Sequence, residues 1–240
     1  PGLAAKLISV FAKRVFTGFE VTRSRFSKNR SQWTGIPVRR EILEAETETS
    51  RAKFGLQSGM QTVLFFGGSQ GARHLNQATA DALKFIGAGG HSLQAIVMTG
   101  RNDYQTVADA LERCTLKVAL YPFLTNIQEA YAAADLVVSR AGAVTCAELT
   151  ARGLPALLIP YPHAGAHQEK NARAMESAGA AVVMLEDELE AGRLPEALLS
   201  ILNDSRRLKS LGDCAKAVGR PEAAQTIVKE LRETVERKIA

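Results

Sequence analysis

The sequence predicts a doubly wound, Rossmann-like α/β fold built on a parallel sheet, and three observations carry that prediction. Short apolar runs rich in β-branched residues recur from Gln61 to Leu185. Each is followed by a turn and a longer stretch with helical spacing, and none shows the polar alternation of a sheet with one wet face. Repeated βα units make a parallel sheet covered on both sides, and six of them are too few for an eight-stranded barrel. Ligands of such folds collect at the carboxyl ends of the strands.

Residues 1–34 open with a helical stripe, Leu3, Leu7, Val10 and Phe11, and continue into Val15-Phe16-Thr17-Gly18-Phe19, a strand candidate with nothing nearby to pair with. The core strands are predicted at Thr62–Phe66, Leu93–Met98, Lys117–Tyr121, Asp135–Ser139, Ala156–Pro160 and Ala181–Leu185, with a first crossover helix from about Ala72 to Phe85. After the turn signal Gly219-Arg220-Pro221, a last helix carries Ile227, Leu231, Val235 and Ile239 at i, i+4 spacing. Its apolar face needs a partner. The chain opens on Pro1-Gly2-Leu3 without Met, which reads as a piece that starts inside a larger protein.

A chain of 240 residues buries roughly 70–75% of its unfolded surface and needs neither disulfides nor metal to fold. Cys114, Cys146 and Cys214 are odd in number and far apart, which fits a reducing compartment. The longest apolar runs, Val63–Phe66 and Ala156–Ile159, fall far short of the ~18–20 residues of a spanning helix. The net charge of +5 hides an asymmetry: nine basic side chains and one acid, Glu20, leave residues 1–40 at +8 and the remaining 200 at −3. Such a block is either a solvated face or the footprint of an anionic partner, whether phosphate, nucleic acid or lipid headgroup.

Five segments hold the residues suited to chemistry. Gly67-Gly68-Ser69-Gln70-Gly71-Ala72 joins a buried strand to a helix start, where glycines admit close approach and free N–H groups suit a phosphate. It is not a GxGxxG, and no acid closes the next strand, so a dinucleotide is not indicated. Ser139-Arg140-Ala141-Gly142-Ala143-Val144-Thr145 repeats the arrangement, and Glu148 follows within the next helix, where it is either a ribose-diol acceptor or an ordinary helix-surface acid. Pro160–Asn171 is polar; His163 and His167 are poorly placed to share a metal, whereas His167, Gln168 and Asn171 can bond sugar hydroxyls. Phe123, after Tyr121-Pro122, can stack on a base or join the core. Arg39 and Arg40 follow the Pro-stiffened Gly35-Ile36-Pro37-Val38 and can meet a diphosphate or stay solvated.

Taken in order and spacing, Gly-Ile-Pro-Val-Arg at 35–39, Phe-Phe-Gly-Gly-Ser-Gln-Gly-Ala-Arg at 65–73, Ser-Arg-Ala-Gly-Ala-Val-Thr at 139–145 with Glu148, and His-Gln-x-x-Asn-Ala at 167–172 resemble the MurG family. These are bacterial transferases that move N-acetylglucosamine from UDP to lipid I, the undecaprenyl-pyrophosphoryl-N-acetylmuramoyl-pentapeptide, giving lipid II in peptidoglycan synthesis. The resemblance covers essentially the whole chain. It implies a GT-B architecture, with residues 1–35 a remnant of the N-terminal acceptor and membrane domain, 36–219 the donor-binding domain, and 220–240 a helix that packs back on the N-terminal domain. It also implies site roles: Ser69, Gln70, Gly71 and Arg39 at the diphosphate, Phe123 and Leu124 at the uracil, and Glu148 at the ribose. Arg140, Gly142, Ala143, Val144 and Thr145 fall in the turn beside donor sugar and phosphate, and His167, Gln168 and Asn171 at the sugar hydroxyls. Ala166 stands where relatives often have an acid.

What the resemblance implies is an inverting, metal-independent transfer with no cofactor, the general base lying in the N-terminal domain. The partners would be UDP-N-acetylglucosamine, lipid I and, through that domain, the cytoplasmic surface of the inner membrane, but not nucleic acid. The 240 residues alone are expected to bind donor weakly or not at all and not to turn over. Two other readings stay open at this point: a UDP-N-acetylglucosamine 2-epimerase, and a donor-binding subunit of a split transferase.

Overall fold

The computed structural model describes residues 2–68, 72–162 and 167–239. An N-terminal flank contains α1 (Leu3–Phe11), β1 (Val15–Thr17), α2 (Glu20–Arg23) and β2 (Ser31–Trp33), and two short helices, α3 (Arg40–Glu44) and α4 (Thr47–Lys53), lead into the core. The core alternates strand and helix: β3 (Thr62–Phe66), α5 (Arg73–Ala88), β4 (Gln94–Met98), α6 (Tyr104–Leu111), β5 (Lys117–Tyr121) and α7 (Ile127–Ala133). It continues with β6 (Leu136–Ser139), α8 (Ala143–Arg152), β7 (Ala156–Leu158), α9 (His167–Ser177) and β8 (Ala181–Val183). Then come α10 (Glu186–Glu190), α11 (Leu194–Leu202), α12 (Ser205–Val218) and α13 (Ala223–Ile239).

The core strands form one parallel sheet in the order β5-β4-β3-β6-β7-β8. The chain winds outward from β3 to β5, returns to the middle at β6 and winds out the other way, so the topological switch lies between β3 and β6. That is where a doubly wound sheet opens its ligand crevice. The strand sequences explain the burial. All five residues of Thr62–Phe66 and of Gln94–Met98 are buried, and side chains alternate between two cores. Leu64, Phe66, Ile96, Val137 and Leu158 pack with Tyr131 and Leu149 on one face; Val63, Phe65, Val97, Val138 and Leu157 pack with Leu75, Leu83 and Leu198 on the other. Each such side chain contributes roughly 1.5–3 kcal/mol.

All six core strands lie where the sequence puts them, with small differences at the ends. Asp135, expected in a strand, caps instead: its Oδ2 accepts from the Thr62 N–H and from Arg51 Nη2, both at 2.8 Å. The last two strands stop at Leu158 and Val183, short of Pro160 and Leu185.

One expectation is overturned in the flank. Val15–Thr17 does have a partner, pairing in parallel with Ser31–Trp33. Ser31-Gln32-Trp33 carries no apolar alternation, so nothing in its sequence announces a strand. The pair is tied to the core through the hinge. Gly35 has φ +83°, and a Cβ there would lie 2.4 Å from Arg220 Cβ; the Arg220 guanidinium stacks 3.8 Å from the centre of the Trp33 ring. Arg14 also reaches Glu230 of α13 at 3.6 Å. The apolar faces of α1 and α13 remain exposed, with Phe11 at 88% and Val235 at 57%.

Candidate functional site

Two crossover helices start at the switch point. On one side β3 ends in Gly67-Gly68, where the turn accepts no side chain: a Cβ on Gly67 would sit 2.2 Å from Ala72 Cβ, and Gly68 has φ +108°. The 16-residue α5 follows, with no side-chain cap at Ala72. Ser69, Gln70 and Gly71, expected at a diphosphate, lie outside the described residues, as does His163. On the other side β6 runs through Gly142 into α8, again with no side-chain cap. Ala143 and Val144 are exposed in its first turn, and Thr145 is half-buried. A helix start without a cap keeps N–H donors and the positive end of the dipole available to an anion.

Glu148, a turn and a half into α8, is half-buried. Its Oε2 accepts the Tyr131 hydroxyl at 2.9 Å. Burial holds its pKa above the ordinary carboxylate range, against the pull of the Tyr131 hydrogen bond and the positive charge of Arg39. The structure therefore brings Glu148 and Arg39 within electrostatic reach of each other, although they lie 109 positions apart. Arg39 itself is exposed, at the N-terminal edge of α3.

Arg140 departs from the sequence expectation that groups it with the ligand-facing turn. Its guanidinium is buried and committed within the protein: it pairs with Glu186 through both terminal nitrogens, Nη2 to Oε1 at 3.0 Å, and Nη1 also donates to the Ile159 carbonyl at 3.2 Å. The physical reason is desolvation, because a buried guanidinium needs an anion, and α10 delivers one. Nε of Arg140 has no hydrogen-bond partner among the described residues. Burial alone would raise the Glu186 pKa, but Arg140 and, beyond it, His74 pull it below the ordinary value. His74, on the first turn of α5, lies 3.3 Å from both Glu186 and Glu190. These three are a group among the described residues whose ligand atoms are close enough to share a cation. The Arg140 charge already neutralises Glu186, which works against that use.

The remaining loops are held by their own polar side chains. Asn171 Nδ2 donates to the Ala141 carbonyl at 3.0 Å, binding α9 to the turn before α8. Gln168 Oε1 accepts the Tyr161 N–H at 3.0 Å. His167 is exposed at the start of α9. Phe123 is 45% exposed and free to stack, while Leu124 is buried and spends its N–H on Met98 Sδ at 3.3 Å. A cavity of about 1070 Å³ opens between the flank and α8–α9, lined by Phe19, Trp33, Gly35, Cys146, His167 and Asn171 among others.

Three participants escaped sequence reasoning. Tyr131 sits in an alanine-rich helix that reads as plain core; Glu186 and His74 lie 46 and 66 positions from Arg140. No local spacing reports such contacts. Asn76, whose Nδ2 bonds Thr99 O at 2.8 Å and Asp103 Oδ2 at 2.9 Å, likewise fastens α5 to the next loop across sequence distance.

Residues 62–227 match the family model described as glycosyltransferase family 28 C-terminal domain. Two curated relatives share the name UDP-N-acetylglucosamine–N-acetylmuramyl-(pentapeptide) pyrophosphoryl-undecaprenol N-acetylglucosamine transferase. The one from Halothermothrix orenii is 38% identical, the one from Moorella thermoacetica 40%, and each alignment covers 98% of this chain and 66% of the relative. The chain thus spans just under two-thirds of their length. The crystal structure of MurG from Acinetobacter baumannii aligns with 97% of this chain and 64% of its own, at a TM-score of 0.77 and 24% identity, a likeness of fold.

Proposed function

Because the chain belongs to the glycosyltransferase family 28 C-terminal domain family, we propose that it carries the donor-binding part of an N-acetylglucosamine transferase. The donor is UDP-N-acetylglucosamine and the acceptor lipid I, whose muramoyl C4 hydroxyl attacks the anomeric carbon as UDP leaves, giving lipid II in peptidoglycan synthesis. The observation that carries this reading is Glu148, half-buried on α8 behind that helix's uncapped start at the switch point of the sheet, with the positive charge of Arg39 within electrostatic reach. A carboxylate that accepts hydroxyls, a guanidinium and a helix N-terminus together match a ribose joined to a diphosphate.

In this mechanism the transfer inverts the anomeric centre. Negative charge grows on the leaving diphosphate, and the α8 N–H groups, the Gly67–Ala72 turn and Arg39 stabilise it, which lets the step proceed without a metal. Gly142, Ala143, Val144 and Thr145 form the turn against phosphate and donor sugar; His167, Gln168 and Asn171 take the sugar hydroxyls; Phe123 stacks on the uracil and Leu124 lies beside it. Arg140 acts at one remove, by clamping that turn to α10. The general base belongs to the acceptor side.

We assign residues 1–35 and 220–240 to that side and 36–219 to the donor domain. The contacts of Arg14 with Glu230 and of Arg220 with Trp33, together with the bare faces of α1 and α13, support this division. Seven of the nine basic side chains of the +8 block lie in residues 1–35, which favours a peripheral seat on the anionic cytoplasmic face of the inner membrane. Among the described residues no helix is long and apolar enough to cross a bilayer. The shared transferase name of both relatives favours transfer over epimerisation. The test is Glu148→Ala in the full-length enzyme: the donor KM rises on the order of 100-fold with lipid I KM unchanged. Unaltered donor kinetics would overturn the ribose assignment.

A further inference from the structure

We propose that Tyr131 is the positioning residue of the ribose subsite: its hydroxyl, donated to Oε2 of Glu148 at 2.9 Å, fixes that carboxylate and leaves Oε1 as the acceptor for a vicinal diol. The inference rests on the reading of Glu148 as the ribose acceptor and adds a residue that does not itself touch the donor.

The hydroxyl is placed by the core, not by the surface. Tyr131 is 1% exposed, on a helix whose Ala130, Ala132 and Ala133 are also buried. Its ring meets Phe66, the last residue of β3, edge-on at 5.9 Å. A phenylalanine would fill the same volume without bringing a polar group into an apolar cluster, so the hydroxyl is explained by what it bonds. That bond joins the two sides of the switch point: Phe66 precedes Gly67-Gly68, and Glu148 follows the start of α8.

The charge balance points the same way. Burial, reinforced by the neighbouring Glu148 charge, pushes the Tyr131 phenol well above its ordinary value, so it stays a donor at any working pH. Burial likewise raises Glu148, and two groups oppose it: the Tyr131 hydroxyl from α7 and Arg39 from the edge of α3. Cys146, on α8 near Tyr131, is pushed up to about 12 by burial and is neutral. Without the hydroxyl, Glu148 keeps the burial penalty with only the exposed Arg39 against it. It then takes up a proton nearer neutrality, and a protonated carboxyl is a poorer partner for two hydroxyls.

The experiment is Tyr131→Phe in the full-length enzyme, assayed with UDP-N-acetylglucosamine and with its 2′-deoxyuridine analogue across pH 5 to 9. We expect the donor KM to rise about 5- to 10-fold, kcat to stay within about twofold, and the acid limb of kcat/KM to move toward neutral pH. The penalty should shrink by more than half with the 2′-deoxy donor. An equal loss on both donors with an unmoved acid limb overturns the proposal and leaves Tyr131 a packing residue. Glu148→Gln, run in parallel, separates the two claims: if it leaves KM and the acid limb unchanged, the ribose reading itself fails. If Tyr131→Phe does not fold, 3-fluorotyrosine at position 131 decides: its more acidic hydroxyl is the stronger donor to Glu148, so the acid limb must move to lower pH, and an unmoved limb overturns the proposal.

Discussion

Glu148 and Glu186 are both partly buried glutamates at the carboxyl end of one sheet, and their environments drive them in opposite directions. Burial favours the neutral form of each. At Glu186 a buried guanidinium bonds both oxygens, with His74 beyond it, and the pKa ends below the ordinary value. At Glu148 the close partner is a neutral hydroxyl on one oxygen, Arg39 acts from an exposed position, and the pKa ends above it. A carboxylate with both oxygens bonded and its charge matched is structure. One with an oxygen in reserve and its burial uncompensated has been left ready for a ligand.

The largest effect should come from breaking the matched pair. Arg140→Met leaves Glu186 without its cation, and removal of one partner of a buried pair costs about 3–5 kcal/mol. For a chain of this size the melting temperature should fall by roughly 6–20 °C, read by thermal unfolding. A fall of less than about 2 °C would mean the pair is only a surface contact. Next comes Glu148→Ala, with its KM effect on the order of 100-fold and a smaller fall in melting temperature than Arg140→Met, because the buried Tyr131 hydroxyl loses its acceptor. The two variants should therefore separate cleanly, one in stability and the other in donor affinity.

The pH dependences sharpen the contrast, because the signs differ. Glu186 has a depressed pKa in the fold, so its contribution to stability is present above the unfolded value, 4.5, and is lost as pH falls through the folded one. Glu148 has a raised pKa, so its ionisation costs stability as pH rises past 4.5 and through the folded value. Donor affinity should do the reverse and improve over the same interval. Melting temperatures of Glu186→Gln and Glu148→Gln between pH 4 and 8, against the parent, read both slopes; parallel profiles would erase the distinction.

How much of this was legible in the sequence depends on the range of the interaction. The six core strands were legible because each is a buried apolar run, and the two helix starts because glycine turns follow strands directly. The Ser31–Trp33 strand was not, since its three residues have no pattern and its existence depends on Val15–Thr17. In the candidate site, the glycine turns and Glu148 were visible as motif positions. What Glu148 and Arg140 are bonded to was not. Arg140 looked like a ligand residue because a lone arginine in a glycine turn gives no sign of an acid 46 positions later. Tyr131 belongs to no motif, because all of it but one oxygen is core.

The smallest predicted effect tests the premise most directly. A carboxylate left under-compensated should be a net cost to the folded protein whenever no ligand is bound, as binding sites often are. Glu148→Gln keeps the shape and an acceptor for the Tyr131 hydroxyl while removing the buried charge, so at pH 8 it should stabilise the protein by up to about 1 kcal/mol, or roughly 2–4 °C. The same substitution at Glu186 should destabilise it. UDP should stabilise the parent full-length enzyme more than its Glu148→Gln variant, reversing their order once nucleotide is added. If Glu148→Gln melts lower than the parent without UDP, then Glu148 is held as firmly as Glu186 and the comparison fails at its root.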